Sequence, residues 1–143
     1  MRFYYAARFS KKETIQQGYE KIRERGHTIT SDWTTHKSIK PYIGNQEMSR
    51  HYADEDVKGV EDADVFVLET DEEGGVGSSA ELGAAIALNR IKGLPLVYVI
   101  GSFNVKEMFY FQSSVNRREN LETVLDEVDE YQSRRMQSPY LLP

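Results

Sequence analysis

An unbroken apolar run at residues 65–68, Val-Phe-Val-Leu, is the feature of this sequence that most constrains its fold. A strand with one face in water alternates apolar and polar residues, whereas a strand of a parallel sheet covered on both faces is apolar throughout. A similar run at residues 96–100 follows a helical segment rich in alanine and leucine. These segments predict neighbouring strands of a parallel sheet with helices on both faces.

The same alternation of strands and helices extends over the whole chain. In chain order we predict strand 2–7, helix 10–25, strand 28–32, helix 48–61, strand 65–68, helix 79–90, strand 96–100 and helix 120–135. A chain of 143 residues, 39 % of them hydrophobic, suits one domain rather than two. We therefore predict an α/β fold: a single doubly wound, Rossmann-like domain over residues 1–143, with a five-stranded parallel sheet of flavodoxin-like strand order and an extended tail at residues 136–143.

Two segments have no clear period. Residues 33–46 are punctuated by Pro41, Gly44 and Asn45, which favours a loop or lid. Residues 102–115 are rich in aromatic side chains and match neither a helix nor a strand template.

The composition excludes several classes of function. The chain has no cysteine, which excludes disulfides, thiolate metal sites and a cysteine nucleophile. A formal net charge of −5 disfavours a nucleic acid polymer as a partner, because neutralising phosphates needs a basic face. No apolar run approaches the ~18 residues of a membrane helix and no signal-like segment opens the sequence, so we expect a cytoplasmic protein without a membrane partner.

Charge is distributed unevenly along the chain. Residues 1–50 carry a net charge of +5, whereas residues 51–100 carry −8. Most of the acidic side chains in the middle third are expected to form a solvated face, and a few of them could line a site.

A glycine-rich stretch at residues 74–83 joins the third strand to the following helix, where phosphate-binding turns occur. Its spacing matches neither GxGxxG nor a Walker loop, so no nucleotide cofactor is predicted. The turn delivers Glu81 to the first turn of a helix, where amide dipoles should favour the ionised carboxylate of a nucleophile. Ser78 and Glu81 also have capping-box spacing, so Glu81 could equally be a helix cap.

Two further groups could reach the same place. Asp56 precedes Val57, which is expected with Val60 to face the sheet, so Asp56 either tilts toward the carboxyl end of the sheet or points to solvent. Tyr4 or Tyr5 could place a phenol there, or could pack in the core.

The predicted strand order, 2-1-3-4-5, places the binding crevice. Ligands bind beyond the carboxyl ends of the strands where the order reverses, which here brings together residues 6–10 and 70–79. The three histidines, His27, His36 and His51, have no ligand-like spacing with carboxylates, so no metal ion is predicted.

Several segments combine into a recognisable pattern. They are Phe-Tyr-Tyr-Ala-Ala at 3–7, Asp-Glu-Asp-Val at 54–57, Ala-Asp-Val-Phe-Val-Leu at 63–68, Asp-Glu-Glu-Gly-Gly-Val-Gly at 71–77 and Ala-Glu-Leu-Gly-Ala-Ala at 80–85. This pattern resembles the nucleoside 2-deoxyribosyltransferase family and its relatives, the 2′-deoxynucleoside 5′-phosphate N-hydrolases. The similarity covers about residues 2–101.

The resemblance implies an enzyme that cleaves the N-glycosidic bond of 2′-deoxynucleosides or their 5′-monophosphates. Glu81 would attack C1′ of the sugar, Asp56 would orient the reacting groups or protonate the departing base, and Tyr4 would position the glutamate. An ionised carboxylate stabilises an oxocarbenium-like transition state and then captures it as a covalent intermediate. Transfer of the sugar to another base or to water would follow, with neither metal nor cofactor.

Departures from the family pattern bear on the substrate. Gly75 stands where the transferases have an aspartate and the monophosphate hydrolases a serine, and Ala7-Arg8 stands where the hydrolases have Gly-Ser. A 5′-phosphate is expected to meet Arg8, Ser10, Lys11, Ser78 and Ser79. The base is expected to meet Asp32 and Trp33. The substrate-binding residues predicted in this way are Ala6, Arg8, Ser10, Asp32, Trp33, Gly75, Gly77, Ser78 and Ser79.

Two other classes of function remain open at the level of sequence. One is a non-catalytic nucleotide sensor on the same fold, in which Glu81 is a cap, and the other is a structural domain that binds a partner. For the enzyme we expect small-molecule partners only, a nucleoside or nucleotide and a nucleobase. Relatives in the family assemble as oligomers, which implies a homo-oligomer with residues 103–111 at a subunit interface.

Overall fold

The computed structural model describes residues 1–138 as one five-stranded parallel sheet with four long helices. The strands are β1 (Arg2–Ala6), β2 (Thr28–Ile29), β3 (Val65–Glu69), β4 (Leu96–Ile100) and β5 (Val115–Arg118). The helices are α1 (Lys12–Glu24), α2 (Gln46–Asp62), α3 (Val76–Lys92) and α4 (Leu121–Gln137). The strand order is β2-β1-β3-β4-β5 and every neighbouring pair is parallel, which confirms the predicted fold class.

Helices cover both faces of the sheet, as two adjacent tyrosines of β1 show. Tyr4 and Tyr5 point to opposite faces because successive strand residues alternate. A Cβ atom on Gly59 of α2 would lie 2.8 Å from the Tyr4 ring, whereas one on Gly18 of α1 would overlap the Tyr5 ring and approach Leu121 of α4. Thus α1 and α4 share one face, and α2 packs with α3 on the other. None of the helices within residues 1–138 has the length and apolarity needed to cross a bilayer.

The core follows the central strands. Residues 65–68 are at most 3 % exposed, and Val97 and Val99 of β4 are fully buried. Each fully buried side chain of this kind stabilises the fold by about 1.5–3 kcal/mol relative to exposure. The apolar run at residues 65–68 is therefore a strand buried on both faces, as its sequence predicts.

The rotation of α2 differs from the prediction. Val60 is 1 % exposed and faces the sheet, but Val57 is 50 % exposed, so its predicted inward orientation is wrong. Residues four apart share a helix face, and Asp56 therefore lies on the side of Val60. Of the two orientations that the sequence left open for Asp56, the structure shows the one toward the sheet.

The third helix also begins earlier than predicted. It starts at Val76 rather than at Ser79, after Gly75, whose backbone is extended. Residues 33–46 form the expected irregular connection, with short 3-10 turns at Trp33–Thr35 and Tyr42–Asn45, and α2 begins at Gln46.

The C-terminal part holds a strand that sequence patterns did not locate. β5 reads Val-Asn-Arg-Arg and is half-buried at the edge of the sheet, so it has no apolar run. The prediction of an extended tail from residue 136 is wrong for residues 136 and 137, because α4 continues to Gln137. Ser138 caps the end of α4, and the last part of the predicted tail, residues 139–143, lies outside the described residues.

Candidate active site

Glu81 lies in the second turn of α3, which is why it is neither a helix cap nor a charge at the helix end. Gly75 is the N-cap and makes no side-chain capping bond. The hydroxyls of Ser78 and Ser79 both donate to the Gly75 carbonyl, at 3.1 and 2.8 Å. The predicted capping box of Ser78 and Glu81 is therefore not formed, and the capping alternative for Glu81 is wrong. Its carboxyl group is directed elsewhere.

Three oxygen atoms without partners gather at this side of the sheet. Tyr4 Oη, Asp56 Oδ1 and Glu81 Oε2 are buried, and none of them has a hydrogen-bond partner within residues 1–138. The Tyr4 hydroxyl is close enough to lower the pKa of both carboxyl groups, although its geometry completes a hydrogen bond with neither. Buried polar groups are nearly always paired in folded proteins, so an unpaired set of three points to a ligand.

The tyrosine on the opposite face provides a contrast. Tyr5 Oη donates a 2.7 Å hydrogen bond to Glu69 Oε2, and that pair is satisfied within the fold. Tyr4 has a comparable burial, with its ring 5.9 Å from that of Phe66 in a stacked arrangement, but its hydroxyl lacks such a bond. One further buried hydroxyl without a partner within residues 1–138, Tyr19 Oη of α1, lies on the side of Tyr5, so what distinguishes the Tyr4 side is the combination of an unpaired phenol with two unpaired carboxyl groups.

Burial controls the ionisation of the two carboxyl groups. It raises the pKa of Glu81 to about 8, with Tyr4 opposing this shift and Asp56 adding to it. Burial also raises the pKa of Asp56, against the opposing effects of His36 and of the Tyr4 hydroxyl. The expectation that the helix dipole keeps Glu81 ionised is wrong, because the dipole acts within the first turn and burial outweighs it. At neutral pH the pair holds a proton that two solvated carboxylates would have released.

Asp56 and Glu81 form the floor of a cleft of about 600 Å³, here called the active-site cleft, whereas the fully buried Tyr4 is not part of its lining. The size lies within the range of small-molecule sites. Four segments surround it: Phe9 just before α1, the start of α3, one face of α2, and residues 36–42 of the irregular connection, here called the loop wall. The lining residues are Phe9, His36, Lys37, Ser38, Ile39, Lys40, Tyr42, Ser49, Tyr52, Ala53, Asp56, Val57, Gly77, Ala80 and Glu81.

The loop wall is fastened to α2 through Tyr52. The His36 ring stacks on that of Tyr52 with centroids 3.8 Å apart, and the Lys37 backbone N–H donates to Tyr52 Oη at 3.2 Å. His36 Nε2 also lies 3.2 Å from Glu55 Oε2. Sequence reasoning identified this segment as a loop or lid but not these side chains. The one available signal was a long aperiodic segment that contains two lysines and a histidine.

The fold is similar to that of a solved CMP N-glycosidase from Clostridium botulinum. The two chains are 14 % identical, the alignment covers 90 % of this chain and 99 % of that one, and the TM-score is 0.50. This likeness shows the fold. Neither a protein-family model nor a curated protein matches the chain.

The predicted phosphate-binding residues lie beside the active-site cleft, and the charge of Arg8 is already engaged. Arg8 Nη1 donates to Glu73 Oε2 at 2.6 Å and lies 3.5 Å from Asp71 Oδ1. Lys11 Nζ lies 3.8 Å from the other oxygen of Asp71. Gly75 packs against this arginine, since a Cβ there would lie 3.0 Å from Arg8 Cγ.

The other predicted contacts have different positions. Gly77 lines the active-site cleft and Ala6 is buried at the end of β1, whereas Ser10 and Ser79 are exposed and do not line it. Ser78, which precedes Ser79, is buried, and its hydroxyl donates to the Gly75 carbonyl.

Asp32 and Trp33 serve the fold rather than the cleft, so the structure does not support their predicted contact with a base. The Asp32 carboxylate accepts a 3.0 Å bond from the Thr34 backbone N–H and caps a 3-10 turn. Trp33 is 6 % exposed, and its indole N–H donates to the Tyr5 carbonyl at 2.7 Å. An indole held in this way cannot stack on a ligand in the cleft.

The acidic side chains that remain are spread over the surface. Within residues 1–138, no group of three or more His, Asp or Glu side chains is arranged to hold a metal ion.

Proposed function

We propose that this protein cleaves the N-glycosidic bond of a nucleoside or nucleotide, with Glu81 as nucleophile and Asp56 as the proton donor. The observation that carries the proposal is a cleft of about 600 Å³ lined by Asp56 and Glu81, each with a buried oxygen that has no partner within residues 1–138, beside the equally unpaired Tyr4 hydroxyl. A CMP N-glycosidase with the same fold supports this choice of reaction. Two carboxyl groups with one proton between them supply what glycosidic cleavage requires.

The reaction needs the shared proton on Asp56, so Glu81, whose pKa burial raises to about 8, first passes its proton to Asp56. In the first step the resulting Glu81 carboxylate oxygen bonds to C1′ of the sugar. The bond from C1′ to the base nitrogen breaks, and the base leaves with the electron pair. The proton of the Asp56 carboxyl group goes to the departing base, so the base leaves neutral and Asp56 becomes ionised. The Tyr4 hydroxyl, which lowers the pKa of Glu81 and has no partner within residues 1–138, would donate to that carboxylate once it is ionised.

In the second step an acceptor removes the sugar from Glu81. Water attacks C1′, the ester bond to Glu81 breaks, and the proton of the water returns to Asp56. A free base can replace water as the acceptor, giving transfer instead of hydrolysis. Burial raises the pKa of both carboxyl groups. The same burial should favour the reaction, because a poorly hydrated carboxylate interacts more strongly with the oxocarbenium-like charge of the transition state.

Release of free base from a substrate panel tests the proposal. The panel consists of ribo- and deoxyribonucleosides and their 5′-monophosphates, each incubated with and without a second base and separated by chromatography. We expect base release from at least one compound, and a new nucleoside only if transfer occurs. Ligand-induced thermal stabilisation without any base release would favour the nucleotide sensor instead.

The pH dependence of cleavage should be bell-shaped. Activity needs one proton on the pair, so kcat/KM is expected to fall as the pH rises through about 8, where the pair loses that proton. It should also fall at low pH, where Glu81 and Asp56 are both protonated. The measurement is kcat/KM between pH 5 and pH 10 on a good substrate of the panel. A rate that stays constant up to pH 10 would show that the pair donates no proton to the base.

A further inference from the structure

We propose that Lys37 and Lys40 of the loop wall bind the phosphate group of the substrate, which makes a nucleoside monophosphate the preferred ligand. This inference rests on the proposed function, since it concerns the same cleft. It assigns the phosphate to the loop wall rather than to Arg8, which does not line the cleft, and thus to side chains that the sequence patterns did not indicate.

The first argument is that these two lysines carry uncompensated charge inside the lining of the active-site cleft. Both line the cleft, and neither forms an ion pair with any side chain within residues 1–138. Lys40 Nζ lies 5.9 Å from the centre of the Tyr42 ring, which leaves its N–H groups available. An ammonium group with free donors is a common partner for phosphate.

The second argument is that the loop wall supplies neutral donors and a fixed position. The Lys37 backbone is attached to Tyr52, whose hydroxyl accepts the Lys37 N–H and keeps its own hydrogen to donate. Ser38 places a second hydroxyl in the same lining. The Asn45 side chain donates to the Ile39 carbonyl at 2.9 Å, which holds the segment between the two lysines. A phosphate with three terminal oxygens can accept from all of these groups.

The third argument is that the alternative cation is occupied. Arg8 contacts Glu73 and Asp71, and Lys11 contacts Asp71, so this corner of the site is neutral or negative. A phosphate entering there would have to displace a carboxylate from a 2.6 Å contact and would meet two like charges. On the loop wall it meets two unpaired lysines and hydroxyl groups, and the carboxylate of Glu55 there lies 3.2 Å from His36 Nε2.

The fourth argument is the depth of the groups in the cleft. Asp56 and Glu81 have buried oxygens on the floor, whereas Lys37 and Lys40 are exposed at its mouth. A nucleotide bound with C1′ at the floor and its phosphate at the mouth keeps the dianion partly hydrated. This arrangement avoids the large cost of burying a charge.

Binding to an inactive protein tests the inference separately from catalysis. In a Glu81→Gln background, affinities are measured by calorimetry for a panel of nucleoside 5′-monophosphates, including CMP, for the matching nucleosides and for inorganic phosphate. We expect at least one monophosphate to bind about 10- to 100-fold more tightly than its nucleoside, as charge-assisted contacts allow. Adding Lys37→Gln and Lys40→Gln should remove most of this preference. The matched control, Lys58→Gln, changes a lysine of α2 that pairs with Asp62 outside the cleft and should retain it.

Other outcomes would overturn the inference. It fails if the double lysine variant keeps the preference, if Arg8→Gln removes it instead, or if no monophosphate binds better than its nucleoside. Binding of inorganic phosphate that depends on the lysines, without a preference for nucleotides, would assign the site to free phosphate and also overturn it. Cleavage of nucleosides with no role for the lysines would leave the proposed function standing. A lysine-dependent preference for monophosphates in a protein that releases no base would support the role of the lysines and overturn the proposed function.

Discussion

Replacing Glu81 with glutamine is expected to lower base release by about 10⁴-fold or more, as loss of a nucleophile does in other enzymes. The amide has nearly the same shape but carries no negative charge, so it can neither stabilise an oxocarbenium-like transition state nor capture C1′. The measurement is the initial rate of base release on the best substrate of the panel. Glu72→Gln is the matched control, because Glu72 is an exposed glutamate of the preceding loop that does not line the active-site cleft, and its rate should equal that of the unchanged protein.

A stability measurement shows whether Glu81→Gln acts through chemistry or through damage to the fold. The pKa of the Glu81 carboxyl group is about 8 in the fold and 4.5 as an unperturbed group, so the folded state holds a proton that the unfolded chain releases between these values. The stabilising contribution of the protonated carboxyl is therefore fully present below pH 4.5 and is lost as the pH rises through about 8. Glutamine has no such loss, so between pH 4.5 and pH 9 the unchanged protein should lose about 5 kcal/mol in free energy of unfolding relative to the variant.

Two results would contradict this interpretation. A Glu81→Gln protein that releases base at the unchanged rate would show that Glu81 is not the nucleophile. A stability difference between the two proteins that stays constant from pH 4.5 to pH 9 would show that the Glu81 carboxylate is not a buried, unfavourable charge.

Replacing Gly59 with alanine should destabilise the protein and disturb the site at once. The new Cβ would lie 2.7 Å from Ser31 Cβ and 2.8 Å from the nearest carbon of the Tyr4 ring, closer than real Cβ contacts. The Tyr4 ring is fully buried and cannot move outward. Overpacking of this kind costs about 3 kcal/mol, which for a domain of this size lowers the Tm by about 10 °C. Displacement of the Tyr4 hydroxyl should also reduce base release by about tenfold or more at a temperature where the variant is folded.

A second helical glycine provides the control for Gly59→Ala. A Cβ on Gly83 of α3 would meet no heavy atom within 4 Å, so Gly83→Ala adds a methyl group without a clash. Alanine is the better helix former, and we expect this variant to be more stable by about 0.5–1 kcal/mol. Thermal unfolding of both variants is the measurement. An unchanged Tm in Gly59→Ala would mean that α2 moves away from the sheet easily.

The fold was predictable where burial dictated the residue types. β3 and β4 are apolar because both of their faces are covered, and that requirement is visible in the letters. β5 has one neighbour in the sheet and half-buried side chains, so Val-Asn-Arg-Arg satisfies its position without any strand pattern. Sequence periodicity reports burial, and a strand at the edge of the sheet with little burial leaves no trace in it.

For the candidate site, sequence reasoning found the residues but not their environment. Glu81, Asp56 and Tyr4 were named, but the predicted position of Glu81 in a first turn gave the wrong direction for its pKa. That direction depends on where α3 begins and on what covers it, which are tertiary properties. Trp33 shows the same limit: its place after β2 was consistent with stacking on a base, but a hydrogen bond to Tyr5 assigns it to the core.

The separation between floor and wall in the active-site cleft has a consequence for how such a protein can change over evolution. Tyr4, Asp56 and Glu81 belong to elements whose packing holds the domain together, so substitutions near them carry a cost in folding. None of residues 36–42 is buried in the core, yet they supply much of the lining that a ligand would meet. Exchange of the loop wall can therefore alter which compound is accepted while the reaction and the stability of the domain stay constant. One scaffold can thus give rise to a series of proteins that share a reaction and differ in their substrates.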